Sequence, residues 1–357
     1  MKKVAIYDPY LDTLGGGEKH ILSIAEVLAA KGYEINIFWD NDMRSELMNR
    51  FPLAHIKDYR FRPNIFKKSD TLLTLKTLSD FEFFFYVTDG SYFASSAKKN
   101  FVFAMVPEKK LYSMNLVNRL KLWNYKFISN SPYTSRWLTR WGISPITIMP
   151  YLSNDILKTK TVKKDKIILS VARFFPHLHS KNHALLIEVF QKLKTANASF
   201  KEYRLVLAGG LKEEDRDYFS GLKEKAGNDK SILLKPNVSN DELIKLYRES
   251  KYFWHFTGFG VDEGKHPEMV EHFGIAPLEA MATGCITFCH NSGGPKFFIE
   301  DGKTGHFFST QEELIAKMSK SENNEIAGVG LANKAMEFAK KRYNYEKFSD
   351  TIIRSLL

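Results

Sequence analysis

Three places in the 357-residue chain combine residue types that could hold a charged, hydroxyl-rich ligand. The first is Gly15-Gly16-Gly17, directly ahead of a helical stretch. Glycines let a backbone approach an oxyanion, and a helix start favours negative charge; a plain turn before a helix would look the same. The second is Arg173, just after an apolar strand, with Lys181 eight residues on and Asn182 opening the next helix. Two cations at the mouth of a sheet could hold a diphosphate without a metal; lone surface charges are the plainer reading. The third is Glu271-His272-Phe273-Gly274-Ile275-Ala276-Pro277-Leu278-Glu279. Pro277 suits the first turn of a helix and Gly274 a tight entry, so Glu271 falls in the loop before that helix and Glu279 on it. The amides of residues 273–276 are expected to point into the same space. An anion site flanked by two carboxylates suits a nucleotide diphosphate bearing hydroxyl-rich groups at both ends; a solvated acidic loop is the alternative.

Other patterns are weaker. Asp40-Asn41-Asp42 and Asp215-Arg216-Asp217 both spell the D-x-D of metal-dependent sugar transfer. The second falls on a charged helix and reads as solvated. The first follows a strand, but the Arg173–Lys181 pair would already supply a metal's electrostatic role, so no metal is expected. Gly302-Lys303-Thr304 resembles a phosphate-binding loop, except that Phe297 stands where its first glycine must be. Cys285 and Cys289 read as small buried hydrophobes rather than metal ligands with His290. His177, His179 and His183 crowd one segment and could position a sugar or phosphate, or simply lie in a polar loop.

Parallel α/β elements must position these residues. Residues 3–8 read as a buried strand, 18–31 as a helix with Ile21, Ile24, Ala25 and Leu28 on one face, and 34–39 as a second strand, which is a βαβ unit. Further strands are expected near 83–87, 101–106, 126–129 and 146–149, with a helix over 132–140. Residues 153–165 are polar, Lys-rich and aperiodic, and read as a hinge. A second series starts at 166–172 and continues through helices at 182–194, 213–226, 240–249 and 276–283, with strands at 203–208, 231–234, 252–256 and 285–289. The expected domains are 1–153 and 165–340, with a last segment, 341–357, that could return to the first domain. Ligands in open parallel sheets bind outside the carboxyl ends of strands, so two such domains facing a central cleft would put all three places to use.

Length fits two cores, and no apolar run approaches a membrane span. Asp8 interrupts the first apolar run, which therefore reads as a strand rather than a signal peptide. Two cysteines argue against a disulfide framework. Both point to the cytoplasm. The net charge is +11, and residues 98–140 are its densest part, with nine Lys and Arg against Glu108 alone and eight interleaved Phe, Tyr and Trp. A solvated face, an anionic membrane surface and nucleic acid would each accommodate that stretch; no nucleic-acid module is present, and nucleic acid is not expected as a partner.

The segment 271–279 resembles the Glu, seven residues, Glu motif of the retaining glycosyltransferases of family 4, which have the GT-B fold. Glu279-Ala280-Met281-Ala282-Thr283-Gly284, His290-Asn291-Ser292-Gly293-Gly294-Pro295 and Asp301-Gly302-Lys303-Thr304-Gly305 are similar to that family's continuation. Asn130-Ser131-Pro132-Tyr133-Thr134 and the opening glycines resemble its first domain. The wording His-Phe-Gly-Ile and His-Asn-Ser-Gly-Gly-Pro is most similar to the lipid-linked-oligosaccharide mannosyltransferase branch. The resemblance implies two Rossmann-like domains and metal-independent transfer of a hexose with retention of configuration, from a nucleotide sugar to a glycan that is lipid-linked or part of a surface polysaccharide. GDP-mannose is the preferred donor, no further cofactor is implied, and the enzyme would work in the cytoplasm at the inner face of a membrane. It also implies roles. Glu279 would bind ribose hydroxyls and Glu271 the transferring sugar. Arg173 and Lys181, with the amides of Phe273, Gly274 and Ile275, would neutralise the diphosphate. Gly16 and Gly17 would approach the phosphate or the acceptor. The acceptor hydroxyl would attack from the leaving group's own face, with the leaving phosphate as base. One departure stands out: Met105, in Phe103-Ala104-Met105-Val106-Pro107, occupies the place of an expected histidine.

Two other classes share part of this pattern. A nicotinamide-dependent oxidoreductase would want G-x-G-x-x-G with an acid near Asp40, but His20 takes the third glycine position. A non-catalytic sugar-nucleotide or membrane-binding protein would keep the fold without turnover.

Overall fold

The computed structural model describes residues 1–67, 71–160, 162–176 and 180–357. His177 and His179 lie outside the described residues. The chain divides into two compact units, Met1–Pro150 with Phe348–Leu357, and Tyr151–Lys347.

The first unit is built on seven strands: β1 (Lys3–Tyr7), β2 (Glu34–Phe38), β3 (Arg60–Arg62), β4 (Phe83–Val87), β5 (Lys99–Ala104), β6 (Tyr125–Ser129) and β7 (Ile146–Thr147). They lie in the order β3-β2-β1-β4-β5-β6-β7, and every pairing is parallel. Strands covered on both faces read as continuous apolar runs rather than alternating ones. Phe83–Val87 is such a run, and all five residues are buried. The helix Gly16–Ala30 buries Ile21, Ile24, Ala25 and Leu28 and ends before Gly32, whose φ of +83° an L side chain rarely adopts. The last segment of the chain packs in this unit: Phe348, Ile352 and Leu356 are buried, and Lys99 Nζ donates to the Leu356 carbonyl (2.9 Å).

The second unit holds β8 (Asp165–Val171), β9 (Arg204–Gly209), β10 (Ile232–Pro236), β11 (Ser250–His255), β12 (Ile286–His290) and β13 (His306–Phe308). Their order is β10-β9-β8-β11-β12-β13, again parallel throughout. Strand order reverses direction between β1 and β4 in one sheet and between β8 and β11 in the other. Such switch points open a crevice at the carboxyl edge.

Several elements depart from the sequence reading. Gly16 and Gly17 belong to the first turn of their helix rather than to a loop. Residues 154–157 of the expected hinge form a short helix, capped by the Ser153 hydroxyl. The short strands β3 and β13 and the helices Arg44–Arg50, Thr71–Leu78, Leu116–Lys121 and Gln311–Glu322 are not among the expected elements.

Candidate active site

In the second unit, the loop after β8 and the end of β11 flank the switch point. Asn182 adopts a left-handed conformation (φ 54°) at the start of the helix His183–Ala196, and its Nδ2 donates to the Phe256 carbonyl just past β11 (2.8 Å). That bond ties the β8 loop to the end of the neighbouring strand. Lys181, one residue earlier, donates from Nζ to Glu271 Oε2 at 3.0 Å. His255, the last residue of β11, places Nε2 3.1 Å from the same oxygen.

This trio is sunk into the protein but reachable. The Lys181 and Glu271 side chains keep 19% and 18% of their area accessible, whereas His255 keeps 6%. Burial alone would raise the Glu271 pKa. The Lys181 ammonium and His255 outweigh that and hold it well below the ordinary carboxylate range. Burial lowers the His255 pKa despite the carboxylate beside it, so the ring stays neutral. A neutral imidazole bonded to a carboxylate must present N–H to it. Glu271 therefore accepts from two donors and is fixed as an anion.

Glycines set the position of Glu271. Gly294 N donates to the Glu271 carbonyl at 2.7 Å. A Cβ on Gly293, whose φ is +67°, would sit 2.1 Å from that carbonyl oxygen, and one on Gly294 would sit 2.5 Å from the carbonyls of His272 and Phe273. Only glycine lets the two backbone segments lie this close. Glu263 Oε2, from the loop after β11, accepts from Gly293 N (3.3 Å) and pairs with Lys296 Nζ (2.7 Å), bracing the same turn.

Beyond Glu271 the chain enters the helix Ile275–Ala282 through Gly274, at φ 97°. The first ladder bond of that helix runs from Leu278 N to the Gly274 carbonyl (3.2 Å), so the amides ahead of it are not used by the helix itself. Phe273 anchors the entry, its ring 6.0 Å from Phe298 and 5.9 Å from Tyr343. Leu278 and Met281 are buried, and Glu279 sits half-buried on the opposite side. Buried Tyr247 senses it: burial first, then the Glu279 carboxylate, push that phenol well above its ordinary pKa.

Arg173 is the strand-end cation of β8. It is exposed beyond β8 and stacks on the Phe175 ring at 4.8 Å. Gly209 admits the backbone at this point, since a Cβ there would meet the Ala172 carbonyl at 1.9 Å. His183 is not a loop residue. It is buried in its helix, stacked on Phe174 (4.9 Å) and within 3.1 Å of the Tyr218 hydroxyl, and burial lowers its pKa to about 4.

The first unit is different. Gly16 is open, with nothing within 4 Å of where a Cβ would lie, but a Cβ on Gly17 would fall 2.1 Å from Met105 Sδ. The Met105 thioether thus packs over one side of Gly17, which stays partly exposed, whereas Gly16 is exposed. Glu18 Oε2 accepts from Gly15 N at 2.6 Å, so the glycine turn already holds one carboxylate. His20 is buried edge-on to Phe103 (5.0 Å), filling the space that a third fingerprint glycine would open. Asp40 accepts from Asn64 N (2.8 Å) and Lys67 Nζ (2.6 Å), and Asp42 pairs with Arg44. Asp215 is buried rather than solvated. Cys285 and Cys289 are fully buried, and Cys285 Sγ lies 3.1 Å from the Tyr247 carbonyl. Among the described residues no three His, Cys, Asp or Glu side chains are grouped to hold a metal ion.

The sequence reading missed His255 and Glu263. His255 was findable, because it is the strand-end residue at the sheet's switch point. Glu263 acts through Gly293, across 30 positions, and no local pattern marks it.

Two parallel-sheet Rossmann-like domains with a charged site at the switch point of the second define the GT-B class. Solved structures share that architecture. Anabaena HepE in complex with UDP superposes with a TM-score of 0.76 at 14% identity, over 100% of this chain and 99% of that one. A glycosyltransferase from Rickettsia africae superposes with a TM-score of 0.74 at 15% identity, over 99% and 97%. Residues 153–343 match the family described as Glycosyl transferases group 1, and the chain belongs to that family: it is a glycosyltransferase. Similar curated proteins include GDP-Man:Man(3)GlcNAc(2)-PP-Dol alpha-1,2-mannosyltransferase of Mus musculus, 31% identical over 52% of this chain and 39% of that protein, and its Homo sapiens counterpart, 29% identical over 64% and 47%. The chain thus spans less than half the length of these relatives.

Proposed function

We propose that this glycosyltransferase moves mannose from GDP-mannose to a lipid-linked glycan, with retention of configuration and without a metal, at the inner face of a membrane. The observation that carries the reading is the cation held at the switch point. Lys181 is fixed beside Glu271 and in reach of solvent, and Glu271 itself lies shortly before the helix Ile275–Ala282 in the chain. A diphosphate meets an ammonium and backbone N–H groups there, with Arg173 nearby in the chain as a second cation. Glu271 accepts hydroxyls of the transferring sugar, and Glu279 those of the ribose. The amides of Phe273, Gly274 and Ile275 stabilise the charge that grows on the leaving diphosphate. As the bond from C1 to the diphosphate oxygen breaks, the acceptor oxygen bonds to C1 on the same face and its proton passes to the departing phosphate. Gly16 admits the ligand at the first unit. The mannose donor and lipid-linked acceptor are supported by the names of the relatives above. The ion pairs of Asp40 and Asp42 favour metal independence.

Donor binding tests this. The melting temperature should rise with GDP-mannose and much less with UDP-glucose, UDP-N-acetylglucosamine, dTDP-rhamnose or NAD. Arg173→Ala should remove most of that rise and lower transfer roughly 10²–10³-fold. A response to another sugar nucleotide alone would replace the donor, and a response to NAD alone would overturn the reading. Transfer should also survive a chelator; loss restored by Mn²⁺ would make it metal-dependent.

A further inference from the structure

The crossover between β5 and β6 carries an exposed apolar surface. Tyr112, buried, donates from its hydroxyl to the Val106 carbonyl (2.7 Å). The chain then forms the helix Leu116–Lys121 and returns to the body at buried Leu122. The Asn115 side chain caps the helix through the Asn118 amide (2.9 Å), Asn118 Nδ2 donates to the Ser113 carbonyl (2.7 Å) and Arg119 Nε to that of Met114 (3.0 Å). The segment is therefore held at both ends and by its own polar groups, yet the helix buries none of its residues.

Its apolar side chains face out instead. Leu116 is 74% exposed, Val117 59%, Leu120 67% and Trp123, just past the helix, 80%. Positions 116 and 120 are four apart, 117 and 120 three apart, and 123 lies three further on, so all four gather on one side. A solvated helix face is ordinarily polar, and a group of large exposed apolar side chains with a polar rim marks a contact surface. Charge selects the partner. From residue 109 to 154 the chain has seven Lys and Arg and no Asp or Glu. Lys109, Lys110, Arg119 and Lys126, on and around the helix in sequence, are exposed. Leucine, valine and tryptophan able to enter an acyl boundary, with cations able to stay at the headgroup level, are the arrangement of a helix that lies in the interface of an anionic bilayer. Among the described residues no helix is long and apolar enough to cross a membrane.

We propose that Leu116–Trp123 seats this chain on an anionic lipid surface, its four apolar side chains inserted and its Lys and Arg side chains against the headgroups. The proposal takes its purpose from the lipid-linked acceptor, but its observations are independent of it.

Co-sedimentation of the full chain with vesicles tests it. Binding is expected to phosphatidylcholine vesicles containing about one-third phosphatidylglycerol, and not to phosphatidylcholine alone. Leu116→Ser/Leu120→Ser/Trp123→Ser should bind at least ~10-fold more weakly, with an unchanged melting temperature because the side chains are exposed. Lys109→Glu/Lys110→Glu should weaken binding chiefly at low salt. Donor binding, read without vesicles, should be the same in all variants, which separates failure here from failure of the transfer reading. Equal binding by the serine variant, or none by the wild type, overturns the proposal. So does a dimer in sedimentation velocity that the serine variant abolishes while vesicle binding persists, since a second copy would then be the occupant.

Discussion

Each unit places a carboxyl at the switch-point edge of its sheet, Asp8 fully buried and Glu271 partly so, and the two differ in charge state. Asp8, one residue past β1, accepts from Tyr10 N through one oxygen (2.9 Å), while its other oxygen has no partner. Burial first, then the nearby Glu18 carboxylate, raise its pKa to about 8. Glu271 is held ionised by Lys181 and His255. Burial acts alike on both, so the neighbours decide: carboxylates beside one, a cation and an N–H beside the other. The first edge therefore keeps a largely neutral acid, suited to hydroxyl groups, and the second keeps the charge separation suited to a diphosphate.

Removing the cation should produce the largest effect. Lys181→Met leaves Glu271 partly buried with only His255, and transfer should fall roughly 10²–10³-fold. Glu271→Ala should cost about as much, because the pair acts as one unit. Steady-state transfer assays decide this, and wild-type-like turnover in both would end the distinction between the edges. The Glu271 charge should also persist to acid pH. Stability from the pair is present above the ordinary carboxylate pKa and is lost only as pH falls through the depressed value.

Gly293→Ala comes next. Its Cβ would strike a backbone carbonyl at 2.1 Å, from a backbone at φ +67°, and neither is relieved by a side-chain rotation. A loss of about 3 kcal/mol or more is expected by denaturant unfolding, with impaired turnover because Glu271 moves. A neutral result would mean that the turn does not set the carboxylate.

These sites differ in how far the sequence disclosed them. The parallel sheets were legible because Phe83–Val87 and Ile167–Leu169 are apolar runs between turn signals, Arg173 because it stands just past a strand, and Lys181 and Glu271 because each precedes a helix. Which of them meet was not legible. Lys181 and Glu271 are 90 positions apart, and spacing does not separate the partnered Lys181 from the exposed Arg173. The glycines of 293–294 were recognisable as a pattern, but their reason, close approach to residues 271–273, is a tertiary fact. Met105 stood out as a departure; that its side chain packs over Gly17 depends on how β5 lies beside the helix Gly16–Ala30. The helix Leu116–Lys121 has only six residues, under two turns, too short for its apolar spacing to stand out in a window of the usual length.

Asp8→Asn should give a smaller effect with a distinctive pH signature. With the folded value near 8, the unfolded chain releases this proton first as pH rises. Wild-type stability therefore falls between about pH 4 and pH 8 by this group's contribution. Asparagine keeps an acceptor for Tyr10 N and removes the titration. The variant should match the wild type near pH 4 and exceed it near pH 8 in melting temperature. A difference that is flat with pH would show that Asp8 is ionised in the fold, and the two edges would then be electrostatically alike.

Gly17→Ala should do least, and it probes the comparison from the other side. Gly17 lies in a helical first turn without a positive φ, so alanine is compatible with the backbone and gains about 0.5–1 kcal/mol of helix preference. Against that, its Cβ lands 2.1 Å from Met105 Sδ. A methionine side chain has three rotatable bonds and can swing away at modest cost, whereas the Glu271 carbonyl facing Gly293 cannot. The net change should stay within about 1 kcal/mol, and it should turn stabilising when Met105→Ala is added, because the obstruction is then gone. Thermal melts of the single and double variants give the sign, and transfer assays on the same samples give the function. A fall of about 100-fold in transfer with the fold intact would show that a ligand atom, and not Met105, needs the space over Gly17. The first edge would then be an anion site after all, and the division of labour between the two carboxyls would have to be redrawn.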